Sequence, residues 1–553
     1  MTALPPVARS ASAPHAPTAS RSSRWPAHLH LIGDPRRPVS AHADARQLGN
    51  KAYNLARMSQ LGLNVPEALV LGTAHAAHPQ KAMPDLLQHG LPALEALVGK
   101  RLGDVRNPLL LSVRSGAVVS MPGMMETILN IGLCDDTVSG LIRQTGHPRL
   151  VWDSYRRLVA CYGEVVKGID AEQFEQAQQV LARGDDESQL DFVDLRELTR
   201  RFLQVYEAAC GQRFPQSPVD QLRGAVLAVF ASWHADKART YRELNHIDHH
   251  LGTAVTIQRM VFGNSGMHSG SGVGFTRNPT TGEHELWVDF LPNAQGEDVV
   301  AGRRVALGAD ALAQWMPDVW RQLQDETQQL ENAMGDMQDF EFTVESGTLY
   351  FLQTRHGKRN RKAAARIALD LLDEQVIDAA TARARLKDIG LDDLQDQCLV
   401  ASQSGDDAEP AQALATAVPA SPGIVTGGVV VNAERALRMA AEGHPVVLVR
   451  RDAETSDVAA LQVAQGLLTQ RGARTSHAAV VARQLDKVCL VGCDSLAIDD
   501  AAGVIRLGGV EVSEGTPITL DGHQGRVYLG TVQTVTVPDE ALRLRFRQLT
   551  STP

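Results

Sequence analysis

The chain has 553 residues, 44% hydrophobic and 21% charged, with a net charge of −10 and a pI near 6.0. That length exceeds one ordinary core and predicts three or four compact units, and the composition excludes a disordered chain. The acidic balance excludes nucleic acid as the main partner, because phosphate backbones reward excess Lys and Arg, but it leaves room for a locally basic nucleotide pocket.

Residues 1–25 are rich in Ala, Ser, Pro and Arg and lack the apolar core of a secretory signal. They read as a disordered extension, with an organelle transit peptide as the alternative. Residues 26–134 mix short apolar strands with a helix and a Gly/Met-rich loop. Residues 135–245 predict helices, with three- and four-residue apolar spacing in Leu150–Val166 and Val219–Ala235. Residues 246–375 return to strands, among them Thr253–Phe262 and the pair Phe340–Val344 and Leu349–Gln353. Charged helices follow within 376–418, and the Ala/Ser/Asp/Gln-rich stretch Ala401–Val418 reads as a linker. Residues 419–533 predict a compact block of strands and turns, and 534–553 a polar tail or terminal helix. Cys134, Cys161, Cys210, Cys398, Cys489 and Cys493 form no CxxC pair and read as reduced thiols of a cytoplasmic protein. No apolar run approaches the ~20 residues of a membrane helix.

Several segments carry chemistry. In Leu109–Thr127 a buried strand delivers Arg114 into a loop containing Gly116 and Gly123, where small residues let backbone amides close over phosphates and Arg pairs with their oxygens. Lys51, alone, reads as a solvated lysine at a helix start. Gln295 and Glu297, alone, read as exposed polar groups in a turn. Asn245-His-Ile-Asp-His-His250 fits no closed zinc spacing.

Gln338–Arg355 reads as a hairpin turning at Glu345–Thr348. Strand alternation puts Asp339 and Glu341 on one face and Gln353 and Arg355 on one face. An odd loop centred on Gly347 sets Asp339 opposite Arg355 and Glu341 opposite Gln353, whereas a two-residue loop sends the pairs to opposite faces unless a bulge intervenes. Two carboxylates, an amide and an arginine suit Mg²⁺ and a polyphosphate, and an ion pair across a surface hairpin fits the same residues. Finally, the apolar strand Gly466–Thr469 runs into a small-residue turn, and Thr475 and Ser476 can cap a helix starting near His477. An imidazole there meets the N–H groups and dipole that favour an anion, and stays neutral enough to attack phosphorus, whereas His477 taken alone reads as a capping or core histidine.

The string Thr475-Ser-His477-Ala-Ala-Val-Val-Ala-Arg483 resembles the phosphohistidine signature of the pyruvate phosphate dikinase and phosphoenolpyruvate synthase family. It departs from the dikinase pattern at Gly472-Ala-Arg474, where Gly-Gly-Met is usual. The Arg114 loop, the Leu48–Leu55 segment (with Asn50 where glycine is usual), the hairpin, and the segments Gly252–Gln258, Gly272–Gly282 and Asp289–Val300 are also similar to the dikinase.

The resemblance implies an α/β and α+β multidomain protein. Its parts would be an ATP-grasp region (26–134 and 246–375) with a helical insertion (135–245), a helical linker (376–418) and a swivelling phosphohistidine β/β/α domain (419–533). It further implies ATP with Mg²⁺, with Lys51, Arg114, Gly123, Gln295, Glu297, Gln353 and Arg355 about the nucleotide, Asp339 and Glu341 on the metal, and His477, Arg355 and Arg114 in catalysis. The γ-phosphoryl would pass to phosphate or water, releasing AMP. The family barrel of ~250 residues does not follow residue 533, so the pyruvate step is expected to need a partner chain. A different hydroxyl or amine acceptor, or a non-catalytic regulatory subunit, are the alternatives, and a homo-oligomer stays open.

Overall fold

A computed structural model describes residues 25–551 apart from 38, 41, 120, 122–123, 183–189, 302–305, 401–412, 453–456, 473, 475–476 and 501. It is a mixed α/β assembly built on three main sheets.

The first is five-stranded and antiparallel, in the spatial order Leu29–Ile32, Ala68–Leu71, Thr253–Arg259, Leu111–Ala117, Thr127–Ile131. One face packs on the helices Pro148–Lys167, Phe192–Cys210 and Pro218–Ala231 in a single apolar core. Those helices are bounded as their sequences dictate. The Asp191 carboxylate accepts from the Val193 and Asp194 amides at one start, Pro opens two others, and left-handed Gly168 and Gly211 close two ends.

The second sheet is antiparallel, ordered Thr348–His356, Gln338–Glu345, Gly270–Phe275, Trp287–Pro292. Its Phe290, Phe340, Phe342 and Phe351 pack with the helices Ala45–Gln60 and Pro317–Met334 in a separate core. A buried ion cluster ties this unit to the helix Arg361–Asp373. Arg277 binds Glu331 at 2.8 Å and Glu374 at 2.5 Å, and Glu331 also accepts from the Thr276 hydroxyl.

The third sheet has eight strands. At its centre Ile424–Val430, Val446–Arg450, Gly466–Thr469 and Val488–Val491 run parallel. These read as continuous apolar runs because both faces are covered. Helices Ala433–Ala441, Val458–Val463 and His477–Gln484 lie on one face, and the small sheet of Leu496–Asp499, Val504–Leu507 and Val510–Ser513 lies on the other.

One sequence expectation changes here, and one left open is decided. The linker reading of 401–418 runs too far: residues 401–412 lie outside the described set, but Ala415–Thr416 pairs with Arg526–Leu529 and Val418–Ser421 pairs with Val488–Val491. Ala415 is buried among the apolar residues of that sheet, which a linker cannot be. Of the two readings of 534–553, a polar tail or a terminal helix, the structure has the helix, preceded by a strand. Thr534–Pro538 pairs antiparallel with Gln395–Leu399, and the helix Glu540–Ser551 buries Leu542 and Phe546 against Ala365, Leu369, Leu386 and Leu394. The chain thus enters and leaves the eight-stranded unit through two strands of one ribbon. No helix of the described residues is long and apolar enough to cross a membrane.

Candidate functional site

The first two sheets face each other across a cavity of about 540 Å³ lined by Arg114, Gln258, Gln295, Glu297, Glu341 and Thr343, among others. Alternation builds one wall. In Leu111–Ala117 the residues Leu111 and Val113 belong to the helical core, so Ser112 and Arg114 turn to the cleft, and the same alternation brings Gln258 there from the neighbouring strand.

The hairpin builds the other wall. Its turn is the two-residue kind, with Glu345 opposite Thr348 and positive φ at Ser346 (49°) and Gly347 (81°), the geometry of a type I′ turn. Such a turn alone would set Glu341 opposite Leu352. A bulge between Glu341 and Phe342 leaves Leu352 unpaired and restores the pairs Glu341–Gln353 and Asp339–Arg355. The facing pairs are those expected from an odd loop, reached through a short loop plus a bulge. The freed Leu352 carbonyl also accepts from Arg114 Nη1 at 3.5 Å.

Arg114 is held by long contacts. Nη2 donates to Glu341 Oε2 at 3.3 Å and to Gln353 Oε1 at 3.5 Å, and Nη1 donates to Gln258 Oε1 at 3.5 Å. No contact in this set is short, so little is lost when the guanidinium turns to a stronger anion. Arg355 is tighter, with Nε on Asp339 Oδ2 at 2.7 Å. Burial pushes the Asp339 carboxyl above its usual range in spite of that partner. Burial acts the same way on Glu341, but Arg114, Arg355 and Lys51 together hold it below the usual range.

Lys51 reaches this cluster from the helix Ala45–Gln60, and burial and the nearby Arg114 bring its ammonium down to about 8, with Glu341 opposing and Arg355 adding to the shift. The solvated-lysine reading therefore fails: Lys51 is half-buried beside like charges. Gly49 makes the placement possible. It breaks the helix at φ 73°, ψ 155°, and a Cβ there would sit 1.8 Å from the Gly116 carbonyl oxygen. The sequence pattern drew attention to Asn50, yet the close approach belongs to its neighbour.

Gln295 is buried with its amide donating to Asn264 Oδ1 at 2.8 Å, and Glu297 lies 3.7 Å from Arg157. Both line the cavity, the first more as a fixed wall than as a free donor. Around Asn245–His250, the His249 ring Nδ1 accepts from Arg242 Nε at 3.2 Å. Gly123, Thr475, Ser476 and the His477 side chain lie outside the described residues.

His477 opens the helix His477–Gln484 directly after the strand Gly466–Thr469 and its turn, the order expected from the sequence. That helix belongs to the eight-stranded unit and lies against the second sheet. Arg474 Nη2 donates to Asp289 Oδ1 at 3.3 Å, and the Arg483 guanidinium lies 5.3 Å from the Phe275 ring centre. Burial brings Arg483 down to about 10, with Cys489, Asp339 and Asp289 opposing.

Chemically, Lys51, Arg114 and Arg355 beside Asp339 and Glu341 suit a polyphosphate with a divalent cation. Among the described residues no group of three or more His, Cys, Asp or Glu forms a closed metal cage. Two carboxylates with the Gln353 amide oxygen nearby are the hard oxygen donors that Mg²⁺ takes when waters and phosphate oxygens complete its shell, so the donor set fits that ion. Gln258, Thr343, Asp289 and Arg483 were given no role from the sequence. Gln258, a long polar side chain in cleft alternation next to the apolar Ile257, is the signal that marks it.

Residues 76–306 match the pyruvate phosphate dikinase AMP/ATP-binding domain family, and residues 442–525 match the PEP-utilising enzyme mobile domain family. The chain is 43% identical to pyruvate, phosphate dikinase of Clostridium symbiosum over 88% of its own length and 56% of the relative's. It is 43% identical to pyruvate, phosphate dikinase 2 of Zea mays (87% and 55%) and 41% identical to pyruvate, phosphate dikinase of Rhizobium meliloti (88% and 56%). The chain spans about half the length of these curated relatives. The two matched segments and the 41–43% identity make the chain similar, over 87–88% of its length, to pyruvate, phosphate dikinases.

Proposed function

We propose that the chain is the nucleotide-using part of an ATP-dependent dikinase, one that phosphorylates its own His477 and hands the phosphoryl group to an acceptor. The supporting observation is one adjacency: a cleft holding Lys51, Arg114, Arg355, Asp339 and Glu341 lies beside the unit whose helix His477 opens, joined by Arg474 and Asp289. The two antiparallel sheets enclosing the cavity support an ATP-grasp reading of the first half. The ribbon at Gln395–Leu399 and Thr534–Pro538 supports a swivelling reading of the second.

In this reading the imidazole of His477 forms a bond to the β-phosphorus while the bond from that phosphorus to the AMP oxygen breaks. AMP leaves with that electron pair, and the γ-phosphoryl passes to phosphate, giving pyrophosphate, or to water. Lys51, Arg114 and Arg355 bind phosphate oxygens and spread the charge of the transition state. Gly123, Gln295, Glu297 and Gln353 line the nucleotide. Asp339 and Glu341 hold Mg²⁺, which supplies charge neutralisation on the phosphates when bound. The relatives' name gives pyruvate, and a small hydroxyl or amine compound is the other acceptor that the same chemistry serves.

The test is incubation with ATP labelled at the β-phosphorus, Mg²⁺ and phosphate. An acid-labile, base-stable label that His477→Asn removes, with AMP released, is the expected result. No label on the intact chain refutes autophosphorylation and leaves the regulatory-subunit reading. Turnover with pyruvate supports the acceptor that the relatives' name gives, and labelling without such turnover favours another hydroxyl or amine compound.

A further inference from the structure

The departure at Arg474 has a physical counterpart. Its guanidinium leaves the eight-stranded unit and crosses to the second sheet, where it meets two groups on one strand, Trp287–Pro292. Nη2 donates to Asp289 Oδ1 at 3.3 Å, and the guanidinium carbon stands 4.5 Å from the Trp287 ring centre. Asp289 is buried, so this pair is largely sheltered from the screening that weakens surface ion pairs. The arginine is also aimed. Arg483 Nη1 donates to the Arg474 carbonyl at 2.9 Å and to the Ala420 carbonyl at 2.7 Å, fixing the turn from which Arg474 projects. A methionine at 474 can touch the Trp287 ring but cannot bind the carboxylate.

We propose that Arg474 is a positioning residue, a latch that holds the His477-bearing unit docked over the cleft through Asp289 and Trp287. The inference rests on the proposed phosphoryl transfer for its consequence, while the latch itself is a statement about docking. Arg474 and its partners lie on opposite sides of the junction between the units, and their side chains are joined only when the two are together. A charge-assisted bond plus a cation–π contact supplies about a tenfold bias toward the docked form.

The experiment uses the full chain, with Arg474→Met, Asp289→Asn and the exchange Arg474→Asp with Asp289→Arg. Small-angle X-ray scattering reads the compact fraction, and β-labelled ATP reads the rate of His477 labelling. Expected for Arg474→Met are a compact fraction lowered by about tenfold in its equilibrium constant, slower labelling at saturating ATP and an unchanged KM for ATP. The exchange restores part of the docking, which a merely structural lesion would not. An Arg474→Met protein that docks and labels like wild type overturns the latch. A wild-type chain that takes no label but loses docking on Arg474→Met overturns the proposed function and leaves the latch standing.

Discussion

Substituting Gly49 by Ala tests how the lysine is delivered to the cleft. The residue sits at φ 73°, ψ 155°, a region that only glycine occupies without strain, and forcing a side chain there costs about 1–3 kcal/mol. The new Cβ would also stand 1.8 Å from the Gly116 oxygen and 3.2 Å from the Ala254 Cβ. Clearing the first contact needs a backbone shift of more than about 1 Å, and overpacking of this kind costs about 1–3 kcal/mol more. The sum is about 4 kcal/mol. The shift falls on the helix start that carries Lys51, and a displacement near 1 Å at a positioning element costs about a hundredfold in function. Gly49→Ala should therefore lose about 4 kcal/mol in denaturant unfolding of the first unit and weaken ATP binding by about a hundredfold in calorimetry. Asn50→Gly is the control and should cost about 1 kcal/mol at most. A Gly49→Ala protein within about 1 kcal/mol of wild type, binding ATP as tightly, would refute the reasoning.

Two further perturbations follow from the same geometry. Lys51 has its ammonium brought down to about 8, so the free protein loses that cation as pH rises through about 8. Because the unfolded lysine keeps its proton to higher pH, Lys51 lowers folded stability below that point, and its penalty fades as pH rises toward the unfolded value. ATP affinity should move the other way, falling from about pH 7 to about pH 9. Lys51→Gln should flatten that profile, and an unchanged slope in the variant would rule out Lys51 as its source. Replacing Arg277 by Met strands Glu331 in the interior and should cost about 3–5 kcal/mol in chemical denaturation, while adding Glu331→Leu should recover most of it. A double variant no more stable than the single one would contradict this account.

Much of the candidate site is legible in the sequence. Alternation put Asp339 and Glu341 on one face and Gln353 and Arg355 on one face, because a period of two is fixed by the pleat. What alternation could not supply was how the two strands meet, which depended on the bulge at Leu352, a backbone event with no compositional mark. The strand-then-helix order before His477 was readable from small residues and capping types. The reach of Arg474 to Asp289 was not, since those residues lie far apart in sequence and meet only through the packing of two units. Gly49 was passed over in favour of Asn50 because its necessity lies in the approach of Gly116, a contact made by folding. The residues after 533 looked polar because the terminal helix buries only a thin stripe, Leu542 and Phe546, while Arg545 pairs with Asp370 and Asp373.

The side-by-side pairing of Gln395–Leu399 with Thr534–Pro538 brings both attachments of the eight-stranded unit together. Two separated attachments would pin a unit at both ends, and two loose ones would let it wander through a volume. If the unit moves as proposed, attachments laced together by backbone hydrogen bonds act as a single axle and confine it to an arc. A phosphoryl group carried on such an arm would return to the same point on each swing, with precision of delivery set by the stiffness of the axle rather than by a long search.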